Sequence, residues 1–210
     1  MAVADPQRKP PTADRAPYSP RAWLRDRRGA TAVEFAMIAA PLTFMIFALI
    51  QLGTYFTVQL TLDNAVAAAA RELRTGQIVA DGKSDTTGQK SFLTAVCNNM
   101  SWLQSQCQSG ASNSSGTQYL VVDVRTLSSF SGNSAPSMTS NGAMNTSNFC
   151  FYSGGSGSAV ELRAFYQWQL LAPALISTMQ TFSNGIAEIQ STQVFQIEPN
   201  GQTNSATTPC

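Results

Sequence analysis

Residues 27–75 read RRGATAVEFAMIAAPLTFMIFALIQLGTYFTVQLTLDNAVAAAARELRT, and this stretch decides how the rest of the chain is organised. Between Glu34 and Asp63 it holds 28 residues without a charge. A bilayer core needs roughly 20 residues of helix, so the run is long enough to cross one, with the span predicted over about residues 35–58. Pro41 lies inside the run, where it deletes a backbone hydrogen bond and bends the helix without cancelling the span. Past the apolar run, Leu62, Val66, Ala69, Ala70 and Leu73 recur on one face, with Asp63, Asn64, Arg71, Glu72 and Arg74 largely elsewhere, so the helix continues beyond the membrane. Arg71 and Arg74 suit a helix C-terminus, and Gly76 can adopt the left-handed cap conformation. A helix over residues 30–75 is roughly 70 Å long, less than half of it needed to cross lipid.

Upstream, residues 1–20 are rich in Pro, Ala and charge with almost no large apolar side chains, a composition that predicts disorder. Net charge is only +1, but seven Lys or Arg face three Asp before Ala30, leaving six basic and nine acidic side chains for the remainder. Arg25, Arg27 and Arg28 stand directly before the apolar run and hold that side in the cytoplasm. Residues 1–29 therefore read as a basic leader, removed or disordered.

The junction Arg28-Gly29-Ala30 is the sharpest local signal. Cleavage after Gly29 would make Ala30 the first residue of a mature chain and Glu34 the fifth, the prepilin arrangement of a basic leader, a glycine and a lone acid in the first turn of an apolar helix. An acidic side chain at membrane depth costs about 2.5–3.5 kcal/mol, so Glu34 needs a partner. The new Ala30 amine of a neighbouring copy would supply one, and such a buried pair would set axial register, with Phe35 beside it. A second arrangement fits the spacing equally: Glu34 at headgroup depth in an uncleaved signal anchor. A twin-arginine export signal fits less well, because the apolar region is too long and no small-residue cleavage site follows it promptly.

Downstream, residues 77–90 read as a polar loop. Phe92, Leu93, Val96, Met100 and Leu103 recur at the spacing of a short amphipathic helix bearing Cys97, and Cys107 follows in a turn-rich segment. Residues 119–127 (YLVVDVRTL), 159–170 (AVELRAFYQWQL) and 186–197 (IAEIQSTQVFQI) alternate as strands, although Val121 and Val122 break the period. Residues 128–158 are rich in Ser, Gly and Asn and predict a long exposed loop. Residues 171–182 carry Pro173 where a helix would begin. The expected fold is α+β: a long N-terminal helix over residues 30–75, then a domain over 76–210 with an antiparallel sheet of about three strands and one or two short helices.

Histidine is absent, which removes Ser-His-Asp, Cys-His and HExxH chemistry. No residue is assigned a catalytic or metal-binding role, and no cofactor or nucleic-acid partner is expected. Cys97, Cys107, Cys150 and Cys210 all follow the apolar run without a CxxC pair, which points to disulfides in an oxidising compartment rather than zinc. Cys97 with Cys107 and Cys150 with Cys210 is the preferred pairing of the three possible, against the alternative that Cys210 is free. Ser156 in SGGSGS lacks the flanking glycine pattern of a hydrolase elbow and reads as a turn. Tyr166 and Trp168 share one strand face, where core or subunit packing is favoured over sugar or base stacking. The acids Asp81, Asp85, Asp123, Glu161 and Glu188 show no calcium-loop spacing and read as solvated surface. Asn99, Asn113 and Asn145 open Asn-x-Ser/Thr triplets of no weight in so Asn- and Ser-rich a chain.

Through Gly29, Ala32, Val33, Glu34, Phe35, Ala36, Pro41 and the close at residues 71–77, the long helix resembles the TadE-like segment of tight-adherence (Tad) pilus proteins. The similarity continues through Cys97 and Cys107 flanking Trp102-Leu103, VVDVRTLSSF, SGGSGSAVELRAFYQWQLLAP and STQVFQIEPN, covering about residues 27–200. The resemblance implies a minor pilin or pseudopilin of the Tad (Flp-type) apparatus, a structural protein matured by a prepilin peptidase between Gly29 and Ala30. Its implied partners are that peptidase, other pilin and minor pilin subunits, the inner-membrane assembly platform and the lipid bilayer. The exported domain is much larger than that of a small major pilin, which favours a minor or initiating role. An uncleaved, membrane-anchored periplasmic binding or scaffold module of the same apparatus is the alternative.

Overall fold

The computed structural model describes residues 30–80, 86–111, 119–127, 137, 139–171, 179–182 and 185–199. Two compact units are distinguished, Met1–Thr43 and Phe44–Cys210. The described part of the first is the beginning of helix α1, Ala30–Arg74, whose helical assignment runs unbroken through Pro41.

In the second unit α1 changes character. Phe44, Phe47 and Leu49 are exposed, whereas Val58, Leu62, Ala65, Val66, Ala69 and Leu73 are fully or almost fully buried. These residues recur every three or four positions, so one stripe enters the core, and its alanines let other elements approach the helix closely. The helix ends as its composition predicts. Gly76 takes a φ of 77°; its N–H bonds to the Leu73 carbonyl and that of Gln77 to the Glu72 carbonyl, capping orphan carbonyls.

Helix α2, Thr86–Asn99, is followed by a 3₁₀ turn, Ser101–Leu103, and helix α3, Gln104–Ala111. Cys107 lies on α3 rather than in an irregular segment, because Leu103 and Cys107 share a buried face four residues apart. Cys97 and Cys107 are joined by a disulfide. Closing that short loop stabilises the fold by about 2–3 kcal/mol, so a Cys97→Ser/Cys107→Ser variant should show a lower denaturant midpoint by that amount of free energy.

Strands β1 (Leu120–Thr126), β4 (Ala159–Gln169) and β5 (Ile186–Gln196) form an antiparallel sheet in the order β1-β4-β5. Val122 stands opposite Ala164, and Ala164 opposite Ser191. One face, carrying Leu120, Val122, Leu162, Ala164, Tyr166 and Ile189, packs with α1 and α2 into the main core. The other face carries Val121 and Phe165 and is covered by Phe149 and Phe182. That second cover explains the broken alternation at Val121 and Val122: both faces of β1 are buried, so neither needs a polar residue.

The expected long exposed loop over residues 128–158 is corrected in its described part. Strands β2 (Thr139–Ser140) and β3 (Ala143–Met144) make a hairpin. Its turn residues Asn141 and Gly142 have φ of 53° and 70°, the conformation that Asn-Gly favours in two-residue hairpins. Phe149, Cys150 and Phe151 are buried, and the Val124 N–H bonds to the Cys150 carbonyl while that of Tyr152 bonds to Val124. This segment shields the outer edge of β1. The helix expected over residues 171–182 lies mostly outside the described residues, and Phe182 at its end pairs with Ile186 in an isolated bridge.

Candidate assembly site

Glu34 sits in the first turns of α1 and is exposed, as is Phe35 at 73%. Val33, Met37, Ile38 and Leu42 around them are exposed apolar side chains. Glu34 is the only charged residue between Ala30 and Asp63. The helix is long and apolar enough to cross a membrane, with a mean hydropathy of 2.2 in its most apolar window. Ala30 is the first residue of α1; Gly29, Arg25, Arg27 and Arg28 lie outside the described residues.

Three polar residues of α1, which the sequence pattern did not single out, tie the helix to the sheet. Gln51, 1% exposed, accepts the Leu171 N–H at 2.8 Å. The Tyr55 hydroxyl donates to the Glu188 carbonyl at 3.3 Å, and the Gln59 amide to the Gln190 carbonyl at 2.8 Å. Glutamines inside an apolar run were the available signal, since buried amides require partners.

Asp123 overturns its reading as a solvated acid. Its side chain is fully buried and receives Arg125 Nε at 2.8 Å, Arg163 Nη2 and the Cys150 N–H at 2.8 Å. The Arg163 guanidinium lies over the Phe149 and Phe165 rings, 5.9 and 5.4 Å from their centroids. One carboxylate thus joins β1, β4 and the segment shielding the sheet edge. A charged residue centred in VVDVRT was the visible clue, because such a side chain enters a core only with compensation. Cys150 is disulfide-bonded; Cys210 lies outside the described residues.

Glu161 and Glu188 are half-buried rather than solvated, because β4 and β5 carry them beside packed neighbours; Asp81 and Asp85 lie outside the described residues. Burial raises the Glu188 carboxyl above its ordinary value near 4.5, against the lowering effects of the Thr139 hydroxyl and Arg163. A raised folded value means that the folded state binds the proton more tightly. The associated stability is present in acid and lost as pH rises through the raised value. Glu188→Gln should therefore gain stability relative to the parent at neutral pH, a gain that disappears in acid, as measured by denaturant midpoints across pH.

Ser156 is exposed in a turn, and among the described residues no group of three or more His, Cys, Asp or Glu is placed to hold a metal. The geometry defines a class: an α+β domain that continues a helix capable of crossing a membrane, the one such helix among the described residues. Residues 29–71 match the family described as TadE-like protein, a Tad pilus-associated family that is structural and not known for catalysis. The match covers most of α1 and none of the sheet. No curated protein and no solved structure matches the chain.

Proposed function

We propose that this chain is a minor pilin or pseudopilin of a Tad (Flp-type) pilus, contributing to its assembly and to surface adhesion, and that a prepilin peptidase matures it between Gly29 and Ala30. The observation that carries the reading is Glu34: a lone, exposed carboxylate in the first turns of an apolar helix, four residues after the prospective new amine and within the TadE-like match. In the bilayer this acid is costly alone and paired in a bundle. The Ala30 amine of one subunit neutralises the Glu34 of its neighbour and selects axial register.

The protein is anchored by one pass in the bacterial inner membrane, with Arg25, Arg27 and Arg28 on the cytoplasmic side and the α+β domain in the periplasm before incorporation into pili. We place the lipid-facing segment at residues 31–50, a reading supported by the burial of Gln51 and Val58 against the domain. Exposed apolar side chains between them and Glu34 would each forfeit about 1.5–3 kcal/mol in water. Its partners are the peptidase, other pilin and minor pilin subunits, the inner-membrane assembly platform and lipid.

Mass spectrometry of the N-terminal peptide from membranes tests the reading. A peptide beginning at Ala30 is the expected result; an intact Arg28–Ala30 junction in assembled pili rejects it and favours the uncleaved anchored module. Gly29→Ala should block maturation, seen on an immunoblot as retention of the longer precursor.

A further inference from the structure

Along α1 the exposed apolar side chains of Phe44, Phe47 and Ile50 give way to the buried amide of Gln51, the first α1 side chain bonded to the sheet's end among the described residues. The residue that Gln51 holds, Leu171, keeps its own side chain 71% exposed. Leu171 borders a cavity of about 480 Å³ that Tyr119, Tyr166, Trp168 and three glutamines also line, with no charged side chain among its described lining residues. Tyr119 is exposed, and burial pushes the Tyr166 hydroxyl up to about 12. Trp102, 54% exposed, meets Trp168 edge-on with ring centroids 6.3 Å apart. Large aromatic and aliphatic side chains are thus left in the open around one end of the sheet, the end that Gln51 anchors.

Residues 31–50 of α1 supply about 30 Å of helix, the thickness of a hydrocarbon core, so Gln51 stands at headgroup level. Trp and Tyr favour that level because their rings are apolar while the indole N–H and phenol O–H remain wet. We propose that Trp102, Tyr119 and Leu171 form a membrane-facing foot that rests in the headgroup–acyl boundary of the bilayer holding α1. The proposal rests on the reading of α1 as a membrane span. Lack of charge in the cavity wall argues against an ionic ligand or an acidic peptide. Continuity with the apolar stretch of α1 at Gln51 favours lipid over a neutral sugar stacked on the same rings. The foot would hold the domain against the membrane until the subunit is drawn into a fibre.

The test uses the full-length chain, with Trp23→Phe, in phosphatidylcholine vesicles brominated either near the headgroup or near the chain ends. Comparison with Trp102→Phe isolates the Trp102 emission, which shallow bromines should cut about twofold and deep bromines much less. Leu171→Trp changes a side chain already in the open and should show the same shallow quenching, giving a reading that does not depend on Trp102→Phe folding. Phe44→Trp reports on the anchor itself. Quenching at Phe44→Trp with none at Trp102 or Leu171→Trp overturns the foot and leaves the anchor standing; absence of quenching at all three sites rejects both. If a soluble neutral oligosaccharide shields Trp102 from acrylamide while lipid bromines leave it bright, the rim is a glycan site and the proposal fails.

Discussion

Asp123→Ala is expected to lower the unfolding free energy of the α+β domain by about 3–5 kcal/mol, the usual cost of leaving a buried counter-charge uncompensated. The side chain removed is fully buried, and its partners Arg163 and Arg125 are only 9% and 21% exposed. Neither guanidinium would regain full hydration, and the Cys150 N–H would lose its carboxylate acceptor. A denaturant titration of the detergent-solubilised protein should show a lower midpoint at unchanged slope. Asp123→Ala with Arg163→Met should recover part of the loss, since the more buried of the two stranded charges is then gone and the apolar stem still fills the space between Phe149 and Phe165. An Asp123→Ala midpoint within error of the parent would show that the cluster contributes nothing net.

Glu34→Ala is expected to leave cleavage after Gly29 possible and to remove the subunit from fibres. Membrane insertion of the variant should be easier, because about 2.5–3.5 kcal/mol of insertion penalty disappears with the carboxylate. Assembly should be harder, because the neighbouring Ala30 amine loses its counter-ion in an apolar bundle. Measured couplings of close charge pairs, about 1.5–7 kcal/mol, convert to at least roughly a tenfold drop in incorporated subunit. Immunoblots of sheared fibres against the membrane fraction give the ratio directly. Glu34→Gln should fare little better, since it keeps the shape and loses the charge. Parental levels of either variant in fibres would remove the register role of Glu34.

The long helix and the three-stranded sheet were legible because their signals are local. An uncharged run beginning after Glu34 and alternation within residues 159–170 depend on neighbours a few positions away, as do the helix and strand geometries they encode. The Asn141-Gly142 hairpin was equally legible, and its own turn chemistry would have located it inside the segment read as an exposed loop. Cys107 was a closer case. Its helix is short and polar, and its buried face emerges only when Leu103 and Cys107 are seen packing against the core.

From the chain's order of residues alone come a helix apolar enough for lipid, a single acid in its first turns, cysteines confined to the downstream side and an α+β plan. Tertiary structure alone decides that Gln51 and Val58 are buried against the domain, that Asp123 is a buried junction, and that Trp102 and Leu171 are left uncovered beside one end of the sheet. The physical reason is separation along the chain. The Gln51 side-chain carbonyl finds its donor 120 residues away and Asp123 finds Arg163 40 residues away, so these buried oxygens are satisfied by groups that no local pattern could have placed beside them.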